Sequence, residues 1–395
     1  MDRIIDLEPG KVALDLLTGK LFVRDSDNRW GVGANESWET RHSALTGCSA
    51  YSESGDGERL VFTIETTRDC NFACLYCYQN DRKTRDRISF HTIDLALDYI
   101  ASAILASGKP SPLIRLIGGE PLLAKKEILY LMDGLRAREI AAEFHTDTNG
   151  RVPIQWFLDE GFPCEFFICL SLPADHNRVR YSSGHDSATA IYNNISALRL
   201  KDGQSVFLSY NVHDQNLNDF SRFLDWIAPL RNNPVERVTV TNIDNYSFNL
   251  HAFRNRLSAV DFSEWLVGTA IPALIDHGWS VPFRRVVGPT LCQGHQPYSC
   301  KIYAGGQVTI CDAMQIEDSR LTIEELSHDV GRMNATYSEM KSTDPWKNPG
   351  CQNCYARIVC FGRKWCERYS CTPRKFNDLL ASNGTVIRAR LKEAQ

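Results

Sequence analysis

The sequence predicts an α/β protein, a partial (βα)6 TIM-like barrel followed by a C-terminal cysteine-rich domain. From about residue 58 to residue 284, short β-branched or aromatic runs alternate with longer segments of helical periodicity. This alternation is typical of repeated βα units around a parallel sheet. Beyond residue 285 it stops and cysteines become dense. A chain of 395 residues is also longer than one hydrophobic core usually organises.

Six strands and six helices are expected in the barrel. The strands are predicted near 60–66, 113–118, 142–148, 164–171, 205–212 and 236–242. The helices are predicted near 91–107, 124–138, 153–160, 187–200, 216–229 and 262–277. Six repeats are fewer than the eight of a closed TIM barrel, so we expect the barrel to be partial.

The two ends of the chain differ from the barrel in their sequence patterns. Residues 1–57 are predicted to form a separate segment in which 11–16 and 20–23 make a hairpin, followed by a polar linker at 52–57. Residues 285–395 are predicted to form the cysteine-rich domain, with a final helix over 373–393.

Composition and charge exclude several classes of protein. A formal charge of −4 gives no broad attraction to nucleic acid or to an anionic membrane. The chain lacks a signal-peptide pattern at its start and any run of the ~20 apolar residues that cross a bilayer. We therefore expect a cytoplasmic protein that binds neither nucleic acid nor a membrane. In such a chain, 14 cysteines favour metal ligation over a disulfide framework.

Three cysteines lie in one loop after the first predicted strand. Cys70, Cys74 and Cys77 are separated by three and by two residues. In a βα scaffold, chemistry is placed at the carboxyl ends of the strands. Three thiolates can hold three irons of a 4Fe-4S cluster and leave the fourth iron open. Structural zinc is the alternative, but it normally takes four ligands in paired Cys-x2-Cys knuckles.

A second motif ends the second predicted strand. Its residues are Gly118, Gly119, Glu120 and Pro121. Adjacent glycines allow the backbone to approach a ligand closely, and a carboxylate can pair with an ammonium group. Taken alone, this motif is better explained as a simple turn.

Together, the two motifs resemble the signature of the radical S-adenosylmethionine (radical SAM) superfamily, including the aromatic Tyr76 directly before Cys77. The resemblance implies that the open iron binds S-adenosylmethionine, whose reductive cleavage yields a 5'-deoxyadenosyl radical that abstracts hydrogen. It also implies that Tyr76 packs near the adenine, while the residues from Gly118 to Pro121 contact the methionyl amine.

Weaker matches follow at later strand ends. Asn149 lies in a Thr-Asn-Gly turn like that of the superfamily, although an ordinary turn explains it as well. Ser171 and Arg180 resemble the positions that meet the ribose and the carboxylate of the cofactor. Directly after Ser171 and Leu172, Pro173 and Ala174 replace the usual Asp-Gly, which places the shape of this loop in question.

Eight more cysteines lie between positions 292 and 371, the number that fully ligates two 4Fe-4S clusters. Two zinc sites with four cysteines each are the alternative. The spacing from Cys292 through Gly306 to Cys311, with the Cys-x2-Cys-x5-Cys run that follows, resembles the SPASM domain of radical peptide maturases. The resemblance implies a first auxiliary cluster on Cys292, Cys300, Cys311 and Cys366. It implies a second one on Cys351, Cys354, Cys360 and Cys371.

Acid-base candidates are less distinctive. Asp312 directly follows Cys311, and in SPASM enzymes resembling sulfatase maturases an aspartate there acts as a base; an exposed surface carboxylate is the alternative. His145 is expected to be structural, and Cys164 and Cys169 to be small core residues. Other polar residues at strand ends, which we do not rank, are Asp147, Tyr210, Asn211, His213 and Asn242.

These features predict a radical SAM enzyme with a SPASM domain and three 4Fe-4S clusters. By resemblance, its substrate is a ribosomally made precursor peptide that receives a carbon-carbon or thioether crosslink, with an external electron donor such as flavodoxin or ferredoxin. Residues 1–57 could bind the peptide's leader or only pack as a hairpin. The alternatives are an anaerobic sulfatase maturase forming formylglycine and, outside enzymes, an iron-sulfur electron carrier or a zinc-stabilised binding protein.

Overall fold

The computed structural model describes residues 59–77, 79, 83–181, 186–243, 257–281, 296–311 and 314–338, with four N-terminal strands. The chain divides into two compact units. One comprises Met1–Gly57, Ser263–Leu291 and Ser342–Gln395, and the other comprises Glu58–Phe262 and Cys292–Lys341. The predictions that lie outside the described residues are the linker 52–57, the helix 373–393, Cys292, Asp312, Cys351, Cys354, Cys360, Cys366 and Cys371.

The N-terminal strands form an antiparallel sheet. They are β1 (Ile4–Glu8), β2 (Val12–Asp15), β3 (Leu21–Arg24) and β4 (Trp30–Val32), in that order across the sheet. Val12 pairs with Val23 and Leu14 with Leu21, so the predicted hairpin is confirmed. The strands β1 and β4 extend this hairpin on its two sides.

Six parallel strands form the main sheet of the second unit. They are β5 (Val61–Thr67), β7 (Leu113–Gly118), β8 (Glu143–Thr148), β9 (Cys164–Cys169), β11 (Gln204–Val212) and β12 (Val235–Asn242). Each pairs with the next one in this order. This is the βα sheet that the sequence predicts. Two short strands, β6 (Ala73–Cys74) and β10 (Arg180–Tyr181), pair with each other as a separate antiparallel sheet.

Helices follow the strands as predicted. They are α1 (Phe90–Ser107), α2 (Lys125–Ala137), α3 (Gln155–Asp159), α4 (Pro173–Val179), α5 (Ser187–Ser196) and α6 (Phe220–Ile227). Helix α1 begins where the Ser89 side chain accepts a hydrogen bond from Thr92 N, and it ends at Gly108 in the left-handed conformation. Helix α4 was not predicted; it begins at Pro173, a residue suited to the first helical position.

The single helix predicted over 262–277 is interrupted in the structure. It consists of α7 (Ala259–Trp265), a π-helical turn (Leu266–Ala270) and α8 (Ile271–Asp276). Pro272 lies in the first turn of α8. Because proline has no amide hydrogen, it cannot continue the α-helical hydrogen bonds through this point.

Part of the cysteine-rich region continues the parallel sheet. Strand β13 (Cys300–Ile302) pairs in parallel with β5, β14 (Gln307–Thr309) pairs antiparallel with β13, and β15 (Leu321–Thr322) pairs antiparallel with β14. Within the described residues the sheet therefore has nine strands. Helices α9 (Ile323–His328) and α10 (Arg332–Thr336) follow, and α9 begins at a capping box between Thr322 and Glu325.

The two faces of the sheet differ in chemistry. On one face, Phe62 packs edge-on against Tyr99 of α1, with ring centroids 6.0 Å apart. On the other face, the strand register aligns Arg115, His145 and Glu165 in one row. His145 stacks on Phe167 at 4.7 Å, in keeping with the structural role expected for it. Among the described helices, none combines the length and apolar character needed to cross a bilayer.

Candidate active site at the carboxyl ends of the parallel strands

Glu120 joins the loops after β7 and β8. Its Oε1 accepts hydrogen bonds from the Thr148 hydroxyl at 2.7 Å and from Leu122 N at 3.1 Å, and its Oε2 accepts one from Asn149 N at 2.7 Å. The side chain is fully buried. Burial raises the pKa of Glu120 above its ordinary value, and these three donors oppose the rise. The Gly-Gly-Glu-Pro and Thr-Asn-Gly motifs thus form one hydrogen-bonded unit.

The cysteine loop is attached to the same unit. Asn149 Nδ2 donates to Asn71 Oδ1 at 2.7 Å, and Glu120 N donates to the Asp69 carbonyl at 2.8 Å. A Cβ atom on Gly119 would overlap the Asp69 carbonyl, and one on Gly118 would overlap that of Thr67. In this structure the two glycines therefore permit the β7 loop to pack directly on the backbone of the cysteine loop.

Backbone contacts position the three loop cysteines. Cys74 in β6 pairs with Arg180 in β10, and Cys77 N donates to the Cys74 carbonyl at 3.1 Å. The Sγ atoms of Cys70 and Cys77 accept hydrogen bonds from backbone amides two residues further on, each at 3.4 Å. The geometry therefore gives these two sulfurs amide donors that suit thiolate ligands.

The loop fits an iron-sulfur cluster by its donor set, which consists of three thiols on one short loop. Among the described residues, no three Cys, His, Asp or Glu side chains already stand in a metal-binding arrangement. Burial raises the pKa of Cys70 to about 11, although the Phe72 amide and Lys83 oppose it. Holding a cluster would therefore require the thiols to turn together and to lose their protons.

Tyr76 is the centre of a second set of contacts. Its hydroxyl accepts hydrogen bonds from Arg180 Nη1 at 3.2 Å and from Asn211 Nδ2 at 3.1 Å, and lies 3.7 Å from Cys169 Sγ. Its ring packs against Val179 and Ile243. Burial raises the pKa of the Tyr76 phenol well above its ordinary value, and Arg180 opposes the rise. The loop after β5, the segment after β9 and the carboxyl end of β11 meet here.

Asn211 and Cys169 were not ranked from the sequence, yet both contact a residue of the motif. Asn211 lies near the end of β11 and Cys169 is the last residue of β9. Their position at strand ends is the signal that could have identified them. The remaining strand-end candidates have other surroundings. Asp147 is exposed, and the Tyr210 hydroxyl donates to the Asn216 carbonyl at 2.8 Å. Asn242 is buried near Leu257.

Two buried groups at this end retain unused hydrogen-bonding atoms. Arg180 is 7% exposed, lies over the Phe72 ring at 5.6 Å, and its Nε has no partner among the described residues. His176 is fully buried, and neither of its ring nitrogens has a described partner. Burial and the charge of Arg180 lower the pKa of His176 to about 3, which keeps it neutral. An unpaired buried donor is costly, so these atoms suit a polar ligand such as a carboxylate.

A buried acid supports the Arg180 segment. Asp175 in α4 accepts hydrogen bonds from His213 Nε2 at 3.0 Å and from Asn216 Nδ2 at 3.0 Å. Burial alone would raise the pKa of Asp175, but the hydrogen bond and charge of His213 outweigh it and lower the pKa to about 2. Ser171 also hydrogen-bonds to this carboxylate, so its hydroxyl is already engaged within the protein. His213, an unranked candidate, therefore positions α4.

Of the eight later cysteines, the structure describes Cys300 and Cys311, and both are buried. Cys300 is the first residue of β13 and pairs with Phe62 of β5. Cys311 follows β14, and its carbonyl accepts a hydrogen bond from Thr309 Oγ1 at 3.3 Å.

Comparison with protein families identifies the domain that carries this site. Residues 64–227, which run from β5 to α6, match the model of the Radical SAM superfamily. The chain therefore carries a radical SAM domain, whose cofactors are S-adenosylmethionine and an iron-sulfur cluster. The match includes the cysteine loop, the Glu120 motif and Arg180.

Solved structures show the same fold over most of the chain. Native anSMEcpe, an anaerobic sulfatase maturase, with bound AdoMet and Cp18Cys peptide shares 15% identity at a TM-score of 0.62, over 85% of this chain and 99% of that one. SuiB of Streptococcus suis bound to S-adenosylmethionine shares 14% identity at a TM-score of 0.56, over 84% of this chain and 79% of that one. SuiB bound to the precursor peptide SuiA shares 15% identity at a TM-score of 0.53, over 86% and 79%. Curated protein sequences gave no match.

Proposed function

We propose that this protein is a radical SAM peptide maturase. It would abstract hydrogen from a side chain of a ribosomally made precursor peptide and form a carbon-carbon or thioether crosslink. The observation that carries the proposal is the Glu120 carboxylate, whose hydrogen bonds join the loops after β7 and β8. Asn149, one of its partners, donates to Asn71 in the loop of Cys70, Cys74 and Cys77. In radical SAM chemistry this is the place of the cluster and its cofactor.

The cofactor would be held by groups that retain bonding capacity. An ionised carboxylate has about four acceptor positions, and Glu120 uses three of them, so one remains for the methionyl ammonium. The free Nε of Arg180 would meet the methionyl carboxylate, and Tyr76 would pack on the adenine. When bound, the cluster and S-adenosylmethionine supply a 5'-deoxyadenosyl radical. Asn149 keeps the cysteine loop in place, and Ser171 keeps α4 in place.

A peptide substrate is supported by two observations. SuiB has been solved with the precursor peptide SuiA and anSMEcpe with the Cp18Cys peptide, and both share this fold. The row formed by Arg115, His145 and Glu165 gives one face of the parallel sheet polar groups in its middle. Such groups suit a polar chain with many hydrogen-bonding atoms better than an apolar metabolite.

The remaining roles belong to the cysteine-rich region. We propose that it is a SPASM domain with two auxiliary 4Fe-4S clusters that transfer electrons between the substrate radical and an external donor such as flavodoxin or ferredoxin. Asp312 would remove a proton after hydrogen abstraction. Residues 1–57 would contact the leader of the precursor, and the protein would act in the cytoplasm.

Formation of formylglycine in a sulfatase is the second candidate. The observation that favours it is the likeness to anSMEcpe, which extends over 99% of that chain. The two candidates differ in product. A crosslinked precursor loses the mass of one hydrogen molecule, whereas a cysteine converted to formylglycine loses its sulfur.

The test is anaerobic reconstitution with iron and sulfide, followed by reduction with dithionite and addition of S-adenosylmethionine. We expect 5'-deoxyadenosine from the wild type and none from a Cys70→Ala, Cys74→Ala, Cys77→Ala triple variant. Cys164→Ala is the matched control, because Cys164 is a buried thiol at the opposite end of β9. Zinc in the cysteine loop, or no 5'-deoxyadenosine, would support the electron-carrier or binding-protein alternative. Incubation with the peptide encoded beside this protein and with a sulfatase peptide separates the two enzymatic candidates.

A further inference from the structure

The position of Cys300 is set by strand register. It pairs with Phe62 of β5, and Ile302 pairs with Ile64. Directly paired residues of neighbouring strands project to the same face of a sheet. Phe62 packs on Tyr99 of α1, so Cys300 and Ile302 belong to the face that the helices cover. Cys300 has no exposed surface.

Two helices, α1 and α10, contact the hairpin formed by β13 and β14 on this side. The Tyr99 hydroxyl of α1 donates to the Tyr298 carbonyl at 2.7 Å. Tyr298 N donates to Asn334 Oδ1 of α10 at 3.1 Å. Tyr337, just after α10, donates from its hydroxyl to the Val308 carbonyl of β14 at 3.3 Å. Cys300 thus lies in a packed layer between the sheet and these two helices.

Cys311 belongs with the other face. Lys301 pairs with Thr309. Successive residues of a strand project to opposite faces, so Lys301, which lies between Cys300 and Ile302, belongs to the face opposite the helices, and Thr309 belongs there with it. The Lys301 ammonium lies over the Tyr303 ring at 4.4 Å, which places Tyr303 on the same face as Lys301. The Tyr303 hydroxyl donates to the Met314 carbonyl at 2.6 Å, and Met314 N donates to the Cys311 carbonyl at 3.2 Å. The segment that carries Cys311 therefore follows the Tyr303 face.

Thiolates that bind one cluster must point at one centre. Cys300 points into the layer of α1 and α10, whereas Cys311 follows the face of Lys301 and Tyr303. Resting on the proposed function, we infer that Cys300 is a core residue of the hairpin and does not ligate the cluster to which Cys311 would belong. Buried free cysteine commonly serves as a small apolar residue, which suits this position.

Iron content tests this inference in a background without the radical SAM cluster. The full-length Cys70→Ala, Cys74→Ala, Cys77→Ala protein, reconstituted anaerobically, is expected to bind about eight irons per chain in its two auxiliary clusters. Adding Cys300→Val should leave this content unchanged, and adding Cys311→Ala should remove about half of it. Cys300→Ala is a second variant in case valine does not fit. Loss of iron from the Cys300 variants that matches the loss from Cys311→Ala would overturn the inference.

A triple variant that binds no iron would instead overturn the proposed auxiliary clusters themselves, so the failure of this inference and the failure of the proposed function are distinguishable.

Discussion

Arg180 Nη1 donates to the Tyr76 hydroxyl at 3.2 Å while Arg180 Nε has no described partner. The guanidinium is therefore held in place on one side and available on the other. Burial makes such an arrangement useful, because a charged donor away from water binds an anionic partner strongly. The Cys74 backbone pairs with that of Arg180, so the same residue also anchors the cysteine loop.

Replacement of Arg180 by alanine should weaken the binding of S-adenosylmethionine. Loss of a hydrogen bond to a charged group corresponds to about 1.5–3 kcal/mol, or about 10- to 150-fold in Kd. Arg178→Ala is the control, since Arg178 lies two residues earlier, in α4, is partly exposed and pairs with Asp175. Isothermal titration of the reconstituted protein would measure the difference, and equal affinity in the two variants would contradict the role given to Arg180.

The packing of Gly119 against the cysteine loop predicts that replacing this glycine destabilises the protein. Gly119→Ala would place a methyl group onto the Asp69 carbonyl, and overpacking of this kind destabilises proteins by about 1–3 kcal/mol. Gly268→Ala should be nearly neutral, because a Cβ atom there meets no neighbour within 4 Å. Urea unfolding of both variants measures the effect, together with iron content after reconstitution. A Gly119→Ala protein as stable as Gly268→Ala would show that the loops separate easily.

The Asp175 carboxylate predicts a dependence of stability on acid pH. The pKa of Asp175 in the folded protein is about 2, below the ordinary pKa of an aspartate, so folding favours the ionised form. The stabilisation is complete above pH 4 and is lost as the pH falls toward 2, and it amounts to about 1–2 kcal/mol after allowance for partial solvation.

Asp175→Asn should therefore be less stable than the wild type at pH 6, with a difference that narrows between pH 4 and pH 2. Asp147→Asn is the matched control, because the Asp147 side chain is 71% exposed and should show no such difference. The measurement is the free energy of unfolding in urea at each pH. A gap that stays constant with pH would contradict the assigned pKa.

The strands were predictable from the sequence within one or two residues, because each has buried side chains at successive or alternate positions between turns. Helix α4 was not, since its seven residues include few apolar ones and show no helical period. The pairing of β13 with β5 joins segments more than 200 residues apart, and no local pattern encodes it.

The motifs were predictable individually, but their mutual contacts were not. Glu120 was expected to face a ligand, and its bonds to Thr148 and Asn149 became visible only in three dimensions. The same holds for Asn211, which is one of several polar residues at strand ends until its amide is found against Tyr76. The spacing of residues along the chain shows which residue types occur in a motif. Which of several polar residues contacts that motif is decided by tertiary packing.

Tyr76 and Asn211 should be energetically coupled. Tyr76→Phe removes the hydroxyl that accepts from Asn211 Nδ2 at 3.1 Å and from Arg180, and unpaired buried donors cost about 1–3 kcal/mol each. Because Asn211→Ala removes one of these donors in advance, the double variant should lose less stability than the sum of the single variants. The expected coupling lies at about 0.5–3 kcal/mol in urea unfolding. The control pair is Tyr76→Phe with Tyr130→Phe, since Tyr130 is exposed on α2, and the losses of stability in this pair should be additive. If the losses from Tyr76→Phe and Asn211→Ala are additive as well, the hydroxyl contact does not hold these loops together.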